Sequence, residues 1–452
     1  MSGNLYTRLV SHALFPLHEK IKGHRSTALR KALEQSQWLP ATEIRRLQNQ
    51  KLQAFIRNIY ANVPYYHDLF DSLALRPEHI ETVTDLSRLP FLTKAVIRAH
   101  ETALKATANT QLKAFNTGGS SGAPLIFYLD HERISHDVAA KWRATRWWDV
   151  DIGDSEIVAW GSPIELGGQD RIKLARDALF RSTLIPAFDM SETHLQAFID
   201  KIRHSRPKML FGYPSVFDLI ARRAEVLGIR LDNLGIKVAF VTSERLYDHQ
   251  RERIESAFGC PVANGYGGRD AGFIAHQCLA GSMHISAEDI IVEIIDPDGT
   301  PLPAGQSGEI VTTHLATSGF PFVRYRTGDI GTLSADSCAC GRGLPVLEKI
   351  EGRATDFVVA KDGTIMHGLA LIYVLRELPG IEEFRIVQES LEHTRVEIVP
   401  SLKPLSAEIG NAVESGMKRR LGETVKISVE EVEAVQAEKS GKFRYVQSKV
   451  SV

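Results

Sequence analysis

Between Ile157 and Val241 the chain repeats one pattern, a short apolar run followed by a stretch of helical periodicity. The runs are Ile157-Val158-Ala159-Trp160, Lys208-Met209-Leu210-Phe211 and Lys237-Val238-Ala239-Phe240-Val241. Helical stretches are expected near Glu192–Ile202 and Ser215–Leu227. Runs this short and this uniformly apolar suit strands buried on both faces, and amphipathic helices between them can serve as crossovers. The pattern therefore predicts an α/β fold with a mostly parallel sheet covered on both sides. Ligands of such sheets bind beyond the C-terminal ends of the strands. Three polar or glycine-bearing points fall there: Trp160-Gly161, Gly212-Tyr213-Pro214-Ser215 and Thr242-Ser243-Glu244.

Other regions carry other patterns. Residues 1–110 read as a helical N-terminal region. Within it Ile44, Leu47, Leu52, Phe55, Ile56 and Ile59 recur at helical spacing until Asn62-Val63-Pro64. Pro90 to Lys94 reads as a turn and cap, Leu125 to Leu129 as a strand, and Glu132 to Trp148 as a helix. From Asp289 to Thr313 the pattern alternates, with Ile290–Ile295 and Glu309–Thr313 separated by Asp296-Pro297-Asp298-Gly299 and Pro303-Ala304-Gly305; this predicts a smaller antiparallel sheet or barrel. After Gly352 the order strand, helix, two strands, helix, strand predicts a small α+β domain. The expected organisation is a large domain over 1–352 and a small one over 353–452.

At 452 residues, with 43% hydrophobic and 24% charged side chains, the chain is long enough for two or three domains with substantial cores. Lys and Arg number 54 against 55 acids, so no global field favours nucleic acid or an anionic membrane. A small molecule is the expected partner. No run reaches the ~20 apolar residues of a membrane span. The first residues do not read as a signal peptide, and four cysteines do not make a secreted disulfide framework, so a cytoplasmic setting is expected. Leu5, Leu9 and Leu14 can form one face of an amphipathic segment, with packing inside the protein favoured over a membrane or partner. A homodimer is the commonest assembly, although the sequence does not specify one.

Five stretches carry candidate chemistry. Asn116-Thr117-Gly118-Gly119-Ser120-Ser121-Gly122-Ala123-Pro124 combines glycines and hydroxyls that can turn several N–H and O–H donors toward one phosphate. It lacks the Gly-Lys-Ser/Thr ending of a Walker loop and the spacing of a dinucleotide turn, and taken alone it reads first as a flexible hairpin or linker. Asn264-Gly265-Tyr266-Gly267-Gly268-Arg269-Asp270 offers a ring to flank a base and a carboxylate for a hard cation. Asp329, after Thr327-Gly328, can accept hydrogen bonds from two ribose hydroxyls or simply cap a turn. Gly352 to Asp356 sets Arg353 and Asp356 at the domain boundary, and Lys442 lies late in a polar loop.

In this order and spacing the five stretches resemble the adenylate-forming superfamily, particularly its phenylacetate-CoA-ligase-like members and the group associated with capsular polysaccharide synthesis. The resemblance covers roughly Asn62 to Lys442. It implies attack of a carboxylate on the α-phosphate of ATP, giving acyl-AMP and pyrophosphate, then displacement of AMP by a thiol or another nucleophile. Thr117, Ser120, Ser121 and Gly122, with Gly118 and Gly119 beside them, would hold the β- and γ-phosphates. Asp270 would hold Mg2+, Tyr266 with Gly267 would flank the adenine, Asp329 would bind the ribose, and Arg353 would add a ribose or phosphate contact. Asp356 would be the hinge. Lys442 would bridge the acid and the α-phosphate. Two departures stand out: Leu125 follows Pro124 where a Lys is frequent, and Asp270 stands where Glu is usual.

The acyl pocket is expected among Trp160, Tyr213, Pro214, Ser243 and Tyr266, residues that suit an aryl or other small apolar acid. With no carrier domain attached, the acceptor is free CoA, a separate carrier protein or another small nucleophile such as a sugar amine, with CoA first. A non-catalytic nucleotide-binding paralogue is the remaining alternative. Cys278, His284, Cys338 and Cys340 supply three thiols and an imidazole, enough for a closed tetrahedral site or else unpaired thiols. The run Cys338-Ala339-Cys340-Gly341-Arg342 resembles zinc-bearing members of the same branch, and this implies structural zinc. Cys260, before Pro261, reads as a core residue.

Overall fold

The structure is a computed structural model that describes residues 4–108, 111–116, 125–160, 176–187, 190, 192–244, 246–296, 298–352, 357–376, 378–433, 435 and 446–450. The chain divides into two compact units, the first formed by Met1–Phe115 and Ile126–Gly352 and the second by Asn116–Leu125 and Arg353–Val452.

In the first unit a helix spans Ala41–Asn62 and buries Ile44, Leu52, Phe55, Ile56 and Ile59. It ends because Val63 is extended ahead of Pro64, which begins the next helix, Pro64–Ser72. Thr93 caps a short helix over Lys94–Ala99 by accepting from the Val96 N–H at 3.2 Å. The expected N-terminal face is split. Leu14 packs inward with Val10, Phe15 and Trp142, whereas Leu5 and Leu9 are exposed. A five-residue π-helical turn spans Val10–Leu14.

Strands β1 (Lys113–Asn116) and β2 (Ile126–Leu129) form a two-stranded sheet. The sheet that dominates the unit contains β3 (Glu156–Trp160), β4 (Ser182–Pro186), β5 (Met209–Gly212), β6 (Val238–Thr242), β7 (Val262–Gly268), β8 (Gly272–Gln277), β9 (Met283–Ile285), β10 (Ile290–Ile295), β11 (Ser307–His314), β12 (Tyr325–Leu333) and β13 (Val346–Gly352). Its order is β10-β11-β12-β13-β9-β8-β7-β6-β5-β3-β4. From β7 to β4 every pairing is parallel; from β10 to β7 every pairing is antiparallel. Both predicted sheet types are present, joined edge to edge into one sheet. The join at β13–β9 is narrow, with only Val346↔His284 and Leu347↔Met283 in register. Strand β4 escaped the sequence reading because Ser182-Thr183-Leu184-Ile185-Pro186 is neither uniformly apolar nor alternating.

Alternation along the parallel strands sends Ile157, Ala159, Leu210, Ala239, Val241 and Val262 to one face. Three helices cover that face: Glu192–Ser205, Pro214–Val226 and Asp248–Phe258. Phe217 is fully buried there, and its truncation to Ala would cost about 3–5 kcal/mol. Phe211 and Phe240 take the opposite parity. The Lys141 ammonium lies 3.8 Å from the centre of the Phe211 ring, which puts the helix His131–Arg146 on that second face. Asp130 caps this helix by accepting from the Arg133 N–H at 2.8 Å.

The second unit is α+β. A hairpin of β14 (Phe357–Val359) and β15 (Ile365–His367) precedes a helix at Leu369–Arg376. A four-stranded sheet follows, made of β16 (Ile381–Ser390), β17 (His393–Pro400), β18 (Lys426–Glu431) and β19 (Val446–Ser448) in the order β18-β17-β16-β19. The helix Ala407–Leu421 joins β17 to its parallel neighbour β18, and Ser406 caps it through the Ile409 N–H. Ile386, Val396, Ile398, Val413, Met417 and Leu421 form the core. Gln388 takes the Val359 N–H at 2.9 Å and also donates to its carbonyl, tying β14 to the sheet.

Candidate active site

The parallel strands β3, β5, β6 and β7 end side by side, so Trp160, Tyr213, Ser243 and Tyr266 fall along one rim of the sheet. Trp160 and Tyr213 stack with centroids 4.8 Å apart and planes 25° from parallel; Phe211 continues the stack at 6.0 Å from Trp160. Pro214 is buried at the first turn of its helix, where its missing N–H costs nothing. The N–H of Ser215 donates to the Glu244 carboxylate at 3.2 Å, so the loop after β6 caps the helix after β5. Ser243, exposed at φ 71°, makes the left-handed turn that permits this. Gly212 is required for packing, since a Cβ there would meet the Ala159 carbonyl at 2.1 Å.

At β7 the two acids singled out by the sequence come together with two tyrosines. The Tyr266 hydroxyl donates to Asp329 Oδ2 at 2.9 Å, and the Tyr325 hydroxyl donates to Asp270 Oδ2 at 2.6 Å. Tyr325 shares β12 with Asp329, and Tyr266 lies on β7 four residues before Asp270, which sits in the turn to β8. Strands β7 and β12 are not sheet neighbours, because β8, β9 and β13 lie between them. The sheet curls enough that their ends exchange hydrogen bonds. Asp270 also accepts from the Ala271 N–H at 3.0 Å and folds over Gly268, where a Cβ would lie 2.7 Å from Asp270 Oδ1. Asp329 is set by Thr327, whose hydroxyl accepts its N–H at 3.1 Å and donates to the Ile310 carbonyl at 2.8 Å.

The loop before Asp270 rests on a fully buried arginine. Arg133 donates to the carbonyls of Arg269 and Asp270, each at 3.3 Å, and pairs with Asp137 at 3.0 Å. Burial alone would raise Asp137, but Arg133 and His314 outweigh it and hold the carboxyl below its ordinary value. Burial, reinforced by Arg133, pushes His314 down to about 4 and keeps it neutral. Sequence reading missed Tyr325, Thr327 and Arg133 as supports. Tyr325 sits in a strand pattern, and Arg133 is one of many charges on a polar helix. The available signal was the Arg133/Asp137 spacing of four residues, which puts both on one helical face.

A second cluster lies on β9. Cys278, His284, Cys338 and Cys340 bring four ligand atoms within 4.8 Å of one another. The Cys278 and Cys338 sulfurs are 3.7 Å apart, and His284 Nε2 is 3.1 Å from the Cys340 sulfur. Tetrahedral zinc with ordinary bond lengths needs S···S near ~3.8 Å and N···S near ~3.5 Å. His284 Nδ1 lies 3.2 Å from the Leu344 carbonyl; as donor there it leaves the Nε2 lone pair facing the sulfurs. Burial pushes His284 down to about 4, toward the neutral form a ligand requires. The following loop docks on the N-terminal region, where Arg342 lies 4.8 Å from the Trp38 ring and bonds Gln37 at 3.1 Å. Cys260 is a buried core residue, and burial pushes its thiol up to about 12.

Thr117 to Pro124, Arg353, Asp356 and Lys442 lie outside the described residues. Among those described, no helix is long and apolar enough to cross a membrane.

Residues 77–317 match the profile of the AMP-binding enzyme family, and residues 358–449 match the CapK C-terminal domain. A phenylacetate-coenzyme A ligase of Thermus thermophilus is 25% identical over 83% of this chain and 85% of its own. Protein CapK of Staphylococcus aureus is 25% identical over 88% of each chain. Among solved structures, 2-hydroxyisobutyryl-CoA ligase with 2-HIB-AMP and CoA in its thioesterification state matches with a TM-score of 0.67 and 21% identity, over 92% of both chains, and so shares the fold. The chain belongs to the AMP-binding enzyme family, in the adenylate-forming branch of the phenylacetate-CoA ligases and CapK.

Proposed function

We propose that this AMP-forming acid–thiol ligase activates a small carboxylic acid of the aryl class as its acyl-AMP and passes the acyl group to CoA. The observation that carries the reading is the reciprocal exchange of tyrosine–aspartate hydrogen bonds between β7 and β12. It fixes Asp270 just beyond the end of β7 and ties Asp329 of β12 to that same strand end, the region where such sheets take their ligands. Asp329, held by the Tyr266 hydroxyl, would bind the ribose hydroxyls. The Tyr266 ring would flank the adenine beside Gly267, which the pairing of β7 with β8 restricts to glycine, since a Cβ there would lie 2.1 Å from the Gly272 carbonyl.

In the first step a carboxylate oxygen of the acid bonds to the α-phosphorus of ATP as the bond to pyrophosphate breaks. In the second, the CoA sulfur bonds to the acyl carbon, the thiol proton is lost and AMP leaves. Thr117 to Gly122 would hold the β- and γ-phosphates, Arg353 would reach the ribose or a phosphate, and Lys442 would bridge the acid and the α-phosphate. Asp356 would be the pivot between the two steps. Asp270 would bind Mg2+, which supplies neutralisation of phosphate charge; its two oxygens each receive one hydrogen bond and keep acceptor capacity for a cation. Positioning and charge neutralisation account for most catalysis of this type.

The stacked Trp160–Tyr213 pair supports an aryl substrate, as do the relatives named phenylacetate-coenzyme A ligase. The Cys/His cluster would hold one structural Zn2+, its four protein ligands leaving no open position for substrate. The match to the CapK C-terminal domain favours a second reading of the acceptor, a separate carrier or a sugar amine. The test is AMP release from ATP across aryl, fatty and sugar-derived acids, with and without CoA. CoA-dependent AMP release and a thioester product are expected with aryl acids. Acid-dependent AMP formation that CoA does not accelerate would favour the second reading, and no AMP with any acid would favour a nucleotide-binding protein without this activity.

A further inference from the structure

Among the described residues, the N-terminal helix leaves one apolar face without a partner. Asn4 caps it, and it runs as Leu5–Leu9, a π-helical turn over Val10–Leu14, and Phe15–Ile21. Leu5, Leu9, Leu17 and Ile21 are 82%, 51%, 57% and 77% exposed, and the exposed Ala13 lies between them at the same four-residue spacing. In an uninterrupted α-helix each such step drifts by ~40°, which would carry Ile21 to about 160° from Leu5. A π-turn advances about 82° per residue rather than about 100°, so five residues of it rotate the next turns back by about 90°. The result brings Leu5, Leu9, Ala13, Leu17 and Ile21 within roughly 70° of one another.

The other side of the helix is anchored. Thr7, Val10, Ser11, Phe15 and Glu19 are buried. Thr7 donates to Asp154 at 2.7 Å, and Phe15 packs edge-on against Trp142 with centroids 5.2 Å apart. Beside the stripe, Tyr6 bonds the carbonyl of Leu179, itself 43% exposed, and the Arg181 guanidinium lies 5.3 Å from the centre of the Tyr6 ring. Charge on the exposed part of the segment is of one sign. Arg8, Lys20, Lys22 and Arg25 are exposed, and Glu19, the only acid from Asn4 to Arg25, is buried against Ser26 and His24.

We propose that this stripe is a docking face for an anionic phospholipid surface, on which the protein lies peripherally. Apolar residues along one face of a fixed helix, flanked by cations with no exposed acid, have the composition of an interfacial helix. The cations complement anionic headgroups, each contributing roughly fivefold in binding. They argue against a second copy of the chain, because a two-fold pairing of these faces would oppose the basic row to itself.

The experiment is co-sedimentation of the purified full-length protein with phosphatidylcholine vesicles, with and without phosphatidylglycerol. Binding to the phosphatidylglycerol vesicles alone is expected, weakening as salt is added. The double variants Leu9→Glu/Leu17→Glu and Arg8→Glu/Lys20→Glu should each weaken it by about tenfold or more. Both should keep the wild-type melting temperature and AMP release, because the four side chains are exposed and remote in sequence from the ligase site. Failure to sediment with the anionic vesicles, or undiminished sedimentation of Leu9→Glu/Leu17→Glu, overturns the proposal. So does a wild-type homodimer that Leu9→Glu/Leu17→Glu dissociates without any vesicle binding, which would assign the stripe to a second copy.

Discussion

Asp289 receives Lys51 Nζ and His136 Nδ1, each at 2.7 Å, and so ties the helices Ala41–Asn62 and His131–Arg146 to the loop after β9. Burial alone would raise Asp289 and lower His136. The charges outweigh burial at both, so Asp289 lies below its ordinary value and His136 above it. The signs fix the pH window. His136 contributes stability that is complete below its unfolded value of about 6.5 and is lost as pH rises through the elevated folded value. Asp289 contributes above its unfolded value of about 3.9 and loses that contribution as pH falls. His136→Gln should therefore melt below wild type by roughly 2–4 °C near pH 6, and the gap should narrow toward pH 9. A gap that widens as pH rises would contradict the assignment. The site acids were legible in the sequence because Asp270 and Asp329 follow glycine turns that bare a carboxylate. Their partners were not, since a hydroxyl at the end of a strand and an arginine on a polar helix announce no target.

At the scale of elements, the weak point of the large sheet is the two-pair join between β9 and β13. All four Cys/His ligands lie on or beside it: His284 on β9, Cys278 just after β8, and Cys338 and Cys340 on the loop leading to β13. The proposed zinc would replace missing ladder hydrogen bonds by four metal–ligand bonds. Stripping it with a chelator, or mutating Cys338→Ser, should remove about one zinc per chain and lower Tm by on the order of 5 °C. An unchanged Tm in a metal-free preparation would mean that the thiols are merely packed. The sequence revealed the ligand set but not this placement, because β13 reaches β9 from more than sixty residues away. Local patterning likewise predicted both kinds of sheet and not their union, since strand order depends on pairings distant in sequence. The N-terminal segment failed for a local reason. Leu14 stands five residues beyond Leu9, off the four-residue spacing that Leu5 and Leu9 share, and it packs inward with Val10, Phe15 and Trp142 while they stay exposed.

Across the whole molecule, the parallel half of the first unit supplies the rim, and the antiparallel half returns β12 so that Asp329 meets Tyr266. The second unit has its own core and matches the CapK C-terminal domain, consistent with an adenylate-forming chain built from two bodies. In the proposed reaction the paired acids, with Lys442, would serve formation of the acyl-AMP. Exchange of labelled pyrophosphate into ATP, driven by an acid and needing no CoA, reads that step directly. Exchange is expected with an aryl acid, and Asp329→Ala and Lys442→Ala should each reduce it by about a hundredfold or more while the fold melts as in wild type. Exchange unaffected by both substitutions, or ATP turnover that releases phosphate and ADP with no acid-dependent exchange, would contradict it.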